Sequence, residues 1–457
     1  MSSLTGNRRT YVAPRRGLQE RVRRITVPVP SGSGAGVALA VALAICLVAF
    51  VVGGGRLART TWTEIATFVV CGALCALAIV APRPAGTPAK LRGIWALAAF
   101  GALAAYTVAA ISWSLVPSES WLESIRTLSY LAVMAAGLAL GRLIPHRWSA
   151  MLHGVALAAV VLSFWALLTK VFPALLAPEE LFARLRPPFD YWNSVGLAAA
   201  LGIPPLLWLA ARRSGHAAVN ALAWPGLGLV IVCLLLSYSR GALLAVGIGI
   251  ALMIAFIPLR LRMLTALGVV VAVTLPVVAW GFAQDGLTVD RPPLALRVDS
   301  GDELGALLLL LLVSLLVAGL AIGFLGDHHP PGARTRNRII RGLFAALISV
   351  PAVAILMLAN APGGIDGQVS KAWHQAIDPS ARTPANTPGR LTETSSVRSR
   401  YWREAWKVHG EAPWLGTGPG SFGDMRLRFR QDTTVVQHAH GYVVQTLADM
   451  GWVAPRT

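Results

Sequence analysis

Three side chains in the polar parts of this sequence have the chemistry to handle a phosphate group and a hydroxyl: Arg240, Arg398 and His440. A guanidinium offers a planar fork of N–H donors that meets phosphate oxygens two at a time. A neutral imidazole takes a proton from a hydroxyl because its pKa lies near neutrality. Each also has an ordinary reading. Arg240 follows Ser237-Tyr238-Ser239 where one apolar run gives way to the next. A lone arginine there commonly snorkels to lipid headgroups. His438 and His440 sit two positions apart, off a common helical face, with no carboxylate close in sequence. That disfavours a metal pair and, taken alone, leaves two loop histidines.

The segment Thr394–Phe429 supplies company for these residues. Its first part predicts a basic aromatic helix over about 396 to 409, carrying Arg398, Arg400, Trp402 and Trp406. Trp402, Trp406 and Trp414 fit an interfacial aromatic belt or a sugar platform, the belt being the commoner use. Gly416, Gly418 and Gly420 lack the Lys and Ser/Thr of a P-loop, so a backbone turn is favoured over a phosphate cradle. The chain has no Asp-X-Asp pair of the kind that holds a divalent ion on a nucleotide sugar.

The elements that position these groups are apolar. Of 457 residues 55% are hydrophobic and only 13% charged, and the apolar residues gather in runs of span length. Runs are read near 34 to 55, 63 to 81, 94 to 113, 127 to 144, 149 to 172, 195 to 211, 218 to 238, 241 to 258, 263 to 282, 304 to 325 and 340 to 360. A twelfth begins near Gly441. The fold class expected is all-α, a polytopic transmembrane helix bundle of about 11 to 12 spans with a long exoplasmic loop carrying short helices. Cys46, Cys71, Cys75 and Cys233 all fall inside apolar runs, which reads as packing rather than a disulfide framework or zinc site.

Alternate connections divide the charges. One side collects the arginine-rich start of the chain, then Arg83, Lys90, Arg92, Arg142, Arg147, Arg212, Arg213, Arg260, Arg262 and the cluster from Arg334 to Arg341. The other holds Glu119, Glu123, Glu179, Glu180, Asp190, Asp285, Asp290, Asp299, Asp302 and Glu303 with fewer cations. Basic connections stay in the cytoplasm, which places the N-terminus there and the chain in the inner (cytoplasmic) membrane. The formal charge of +19 is thus membrane topology and phosphate-bearing lipid, with no nucleic acid implied. The organisation expected is a cytoplasmic basic tail over 1–33, the helix bundle over 34–360, the exoplasmic loop over 361–440 and the start of a last membrane helix over 441–457.

In combination these residues resemble the O-antigen ligase and polymerase-like membrane proteins. The likeness runs from Trp113-Ser114 and Pro117 through Asn193, is clear at Ser237-Tyr238-Ser239-Arg240-Gly241, and is strongest from Arg398 to Gly451. That last region carries Arg398, Trp402, Pro413-Trp414-Leu415-Gly416-Thr417-Gly418, Ala439-His440 and Gly451. The resemblance implies a metal-independent, inverting glycosyltransferase without cofactor. It would take a glycan from a polyprenyl-diphosphate carrier to a hydroxyl of a glycan or glycolipid acceptor, at the outer face of the membrane. By the same resemblance Arg240 and Arg398 bind the diphosphate, with Arg400, Tyr238 and Trp402 among the substrate contacts, and His440 is the general base.

Two departures accompany it. Gly441 stands where the family usually has Asn, Ser or Gln, and the chain stops at Thr457 where family members continue through further helices. The latter suggests a truncated product. A lipid or polysaccharide transporter, or an inactive scaffold, would also account for the spans and the basic loop. A transporter should show repeated broken helices, and no internal repeat is visible.

Overall fold

A computed structural model describes residues 32–53, 57–82, 93–212, 214–215, 217–328 and, apart from 358, 379 and 382–384, 356–452, with isolated positions between 332 and 349. Among these residues the regular elements are helices and no strand occurs; the chain is a polytopic helical bundle. Ten long helices come first: α1 (Gly32–Val52), α2 (Leu57–Val80), α3 (Ile94–Ala109), α4 (Pro117–Leu143), α5 (Trp148–Val171), α6 (Trp192–Ala211), α7 (Ala217–Leu236), α8 (Arg240–Phe256), α9 (Arg260–Phe282) and α10 (Leu294–His328). Nine of the helices among the described residues are long and apolar enough to cross a membrane. The tenth, α8, is apolar but has 17 residues, a rise of about 25 Å.

Ten of the eleven expected runs therefore appear as helices, and the one expected at 340 to 360 lies largely outside the described residues, as does the arginine-rich start of the chain. Two helices begin ten residues earlier than their hydropathy indicates. Helix α4 starts at Pro117, ten residues ahead of its apolar run, because Pro117 presets the first turn and the hydroxyls that follow bond back along the helix. Ser124 Oγ donates to the Ser120 carbonyl at 2.7 Å and Thr127 Oγ1 to that of Glu123 at 2.8 Å. Helix α10 likewise extends outward to Leu294 through a polar first part.

Helices α6 and α7 form the centre, surrounded by α5, α9 and α10. Glycines permit the closest approaches. A methyl group at Gly202 would overlap Ala159 of α5, and Gly319 of α10 lies on the Trp224 indole of α7. Without a hydrophobic drive between helices in lipid, close packing of this kind is what holds spans together. Pro204, Pro205, Pro225 and Pro276 lie inside continuous helices.

After the bundle come α11 (Gly364–Ile377), α12 (Arg398–Glu411) and α13 (Tyr442–Met450). Helices α12 and α13 enclose a small core of Ala405, Val408, Phe422, Ala439 and Ala448. The buried Arg426 locks it, with Nε donating to Glu404 at 2.7 Å and Nη1 to the Thr434 carbonyl at 2.8 Å. The helix opening after Gly441 has nine residues, is closed by Gly451 at a φ of 66°, and is followed by Trp452, whose N–H returns to the Pro413 carbonyl at 2.9 Å.

Candidate functional site

The site starts with a strained junction. Between α7 and α8 the chain turns through Ser237, Tyr238 and Ser239, with Tyr238 left-handed at a φ of 49°. Gly196 of α6 lets the turn come close, since a Cβ there would lie 2.7 Å from both Ser237 Oγ and Ser239 Cβ. The turn points its carbonyls at Arg184, a fully buried arginine from the connection between α5 and α6. Its Nε donates to the Ser237 carbonyl at 2.9 Å and its Nη2 to that of Tyr238 at 3.2 Å, and its guanidinium lies 4.4 Å from the centre of the Trp192 ring. Arg184 Nη1 is buried and has no hydrogen-bond partner.

Arg240 opens α8 directly above this turn and is held by the long polar segment. Its Nη1 donates to the Glu393 carbonyl and its Nη2 to that of Ser395 at 3.4 Å. Arg390 stands in the short turn Pro388–Leu391 just ahead of these carbonyls. Burial, then the charges of Arg240 and Arg398, disfavour the protonated form of Arg390, while Glu393 opposes them. Burial, then Arg390 and Arg240, act the same way on Arg184, opposed by Tyr191 and Tyr238. Four guanidinium groups, Arg184, Arg240, Arg390 and Arg398, are thus electrostatic neighbours, and the Glu393 carboxylate acts on Arg240 and Arg390. Cations gathered at this density favour a multivalent anion.

His440 lies at the edge of the cluster. It too is left-handed, at a φ of 53°, and its ring centre is 6.0 Å from that of Tyr401. Partial desolvation, then the Arg398 charge and His438, push its pKa below the ordinary imidazole value. That shift favours the neutral ring, the form able to accept a proton. Two bonds from Gln445 fix the preceding residues: Oε1 accepts the Ala439 N–H at 3.0 Å, and Nε2 lies 3.2 Å from His438 Nδ1. Trp402 packs its indole against Gly441 so tightly that a Cβ at 441 would overlap Trp402 Nε1, which gives a physical reason for a glycine after the histidine.

The structure thus brings Arg240, Arg398, His440 and Trp402 to one place. It gives the other two expected substrate contacts different surroundings. Tyr238 is buried beneath the junction with its ring edge-on to Phe282 at 5.7 Å. Arg400 turns to Asp432 and to the Ala381 carbonyl, 3.1 Å from its Nη2, and so braces the segment. Among the described residues no group of three His, Cys, Asp or Glu side chains is placed to hold a metal ion.

The glycine-rich loop is a clasp. Gly416, Gly418 and Gly420 all have positive φ, 71°, 107° and 75°. Side chains there would run into the Asp449 carbonyl, Ser114 Oγ and Glu123 Cγ respectively. Leu115 N–H donates to the Thr417 carbonyl at 3.0 Å, Ser120 Oγ to that of Pro419 at 2.7 Å and Trp113 Nε1 to that of Leu415 at 3.2 Å. From the other side the Asp449 carboxylate accepts the N–H groups of Gly420 at 3.2 Å and Phe422 at 3.1 Å. Burial raises the Asp449 pKa to about 7 against those bonds. The turn expected from the glycines docks the polar segment onto the corner between α3 and α4.

Residues 300–454 match the O-antigen ligase family model. The matched region runs from α10 through α13 and contains Arg390, Arg398 and His440. This O-antigen ligase-like region supports a membrane glycosyltransferase-like function, with lipid-linked glycans and polysaccharides as the general class of partner. No curated protein and no solved structure matches the chain.

Arg184 and Arg390 were not singled out by the sequence. Arg184 lies in a stretch that also holds Arg186. Only folding separates the two: Arg184 is buried beneath the junction, while Arg186 pairs with Glu180 at 3.2 Å and with Asp190.

Proposed function

We propose that this protein transfers a glycan from a polyprenyl-diphosphate carrier to an acceptor hydroxyl on the non-cytoplasmic face of the inner membrane. The supporting observation is that Arg184, Arg240, Arg390 and Arg398 are electrostatic neighbours, with His440 beside Arg398. A diphosphate leaving group gathers negative charge as its bond to the anomeric carbon breaks, and fixed guanidinium groups stabilise that charge as it forms. Arg240 and Arg398 grip the diphosphate. Arg184, buried under the junction with Nη1 unpartnered, adds its positive charge from beneath.

His440 takes the proton of the acceptor hydroxyl as its oxygen forms the new bond to the anomeric carbon. The electron pair of the breaking bond leaves with the diphosphate, and a single displacement inverts the anomeric centre. Trp402, half exposed beside Gly441, offers an apolar ring to a sugar entering at His440.

The test is transfer in membranes supplied with a polyprenyl-diphosphate-linked glycan. His440→Ala is expected to abolish transfer at unchanged protein level. Arg240→Lys should also be deficient, because a point charge cannot replace a two-pronged donor. Full activity of His440→Ala would remove the base from the mechanism, and wild-type rates in Arg240→Lys would return Arg240 to snorkelling.

A further inference from the structure

Helix α11 is amphipathic in the reverse sense for a helix bathed in water. Ile365, Val369, Trp373 and Ile377 recur every four residues and share one face. They stand outward, 43%, 60%, 64% and 42% exposed. Off the stripe, Gly367, Gln368 and Gln375 are partly buried, while Lys371 on the far face is exposed. Gln375 Oε1 accepts from Thr394 Oγ1 at 2.5 Å, and Gln368 Nε2 donates to the Pro362 carbonyl at 2.8 Å. Lys371 and His374 project away from the apolar stripe.

A helix that sets four large apolar side chains on one exposed face, with its amides and Lys371 off that face, is suited to an apolar surface. The apolar run read from the sequence at 340 to 360 ends just ahead of it. Only six residues separate Met357, itself exposed and apolar, from Gly364, so the helix begins within about 25 Å of it. The chain bends between them at Gly363 and Gly364, both left-handed at φ 86° and 63°, a corner that few other residues could form. We infer that α11 lies in the plane of the bilayer surface, with Ile365, Val369, Trp373 and Ile377 sunk into the acyl boundary of the leaflet that borders the site. A tryptophan on such a stripe belongs at headgroup level, and amphipathic helices of this pattern bind lipid by their apolar face.

The helix does more than hold on. The Thr394 that bonds Gln375 lies between Glu393 and Ser395, whose carbonyls hold Arg240. Helix α11 is thereby tied to the segment whose carbonyls hold Arg240. This inference rests on the exposed stripe and not on the glycosyl-transfer reading.

The test uses the full chain, with its four cysteines replaced by alanine, reconstituted in vesicles of phosphatidylethanolamine and phosphatidylglycerol. Nitroxide labels are placed singly at 365, 369, 373 and 377, and at 371 on the far face. Relaxation by dissolved oxygen, which concentrates in lipid, is compared with relaxation by a water-soluble nickel chelate. The expected result is high oxygen and low nickel exposure at the four stripe positions, with the reverse at 371. Nickel exposure at 369 and 373 equal to that at 371 would place the stripe in water and overturn the inference. Low exposure to both reagents would overturn it too, by showing the stripe covered by protein, whether a second copy or another partner. Loss of transfer in His440→Ala leaves every one of these readings unchanged, so the two proposals fail separately.

Discussion

The Arg398 guanidinium and the His440 imidazole are coupled in a direction that can be measured. Desolvation comes first among the causes that lower the His440 pKa and Arg398 second. In the proposed mechanism the neutral ring is the base, so transfer should fall as pH drops through a value below the ordinary 6.5. Removing the cation in Arg398→Gln lets the pKa rise. The acid limb of the kcat/KM profile should then move to higher pH, with donor affinity reduced as well. An acid limb that stays where it is would show that His440 does not carry it. At this scale the sequence was informative where a residue sits in a motif, as Arg240, Arg398 and His440 do. It was silent on Arg184 and Arg390, because what distinguishes them is burial and neighbouring charge, which arise only when distant connections meet.

Among the elements, the clasp over residues 413–421 shows how a weak motif gains meaning from its surroundings. Three glycines at alternate positions suggested a turn; what the turn serves depended on Ser114, Glu123 and Asp449, far away in sequence. Gly418→Ala would force a φ of 107° on a side-chain-bearing residue, at a cost of about 1–3 kcal/mol, and drive its methyl into Ser114. The segment should loosen from the corner between α3 and α4, which limited proteolysis would read as faster cleavage near residue 418, and transfer should fall while the bundle stays inserted. Gly410→Ala is the control: it lies within α12, nothing is within 4 Å of the added methyl, and alanine favours the helix. Equal proteolysis of the two variants would show that the clasp does not depend on Gly418. Helix existence was legible throughout the bundle from apolar run length. The starts of α4 and α10 were not, since hydroxyls bonded back to carbonyls and charges at helix ends extend a helix beyond its apolar part.

For the molecule as a whole, the connections after α3, α5, α7 and α9 converge on the long polar segment, and few side chains join them. Asp290, after α9, is one that joins three. Its Oδ1 accepts the Ala183 N–H at 2.8 Å, next to Arg184, and its Oδ2 accepts Asn386 Nδ2 at 2.9 Å, shortly before Arg390. One carboxylate thus sets the two arginines that no motif announces against each other. In Asp290→Ala the Ala183 N–H loses its partner, worth about 1–3 kcal/mol where it is buried, and the two segments lose their common reference. The bundle core of α6 and α7 does not include Asp290 and should remain folded. The expected outcome in reconstituted vesicles is a raised KM for the lipid-diphosphate donor with kcat largely kept, since His440 and its support from Gln445 are untouched. Asp290→Asn keeps one carbonyl-type acceptor and should fall between the two. If KM for the donor is the same in all three proteins, the positions of Arg184 and Arg390 do not matter to donor binding, and the cluster shrinks to Arg240 and Arg398.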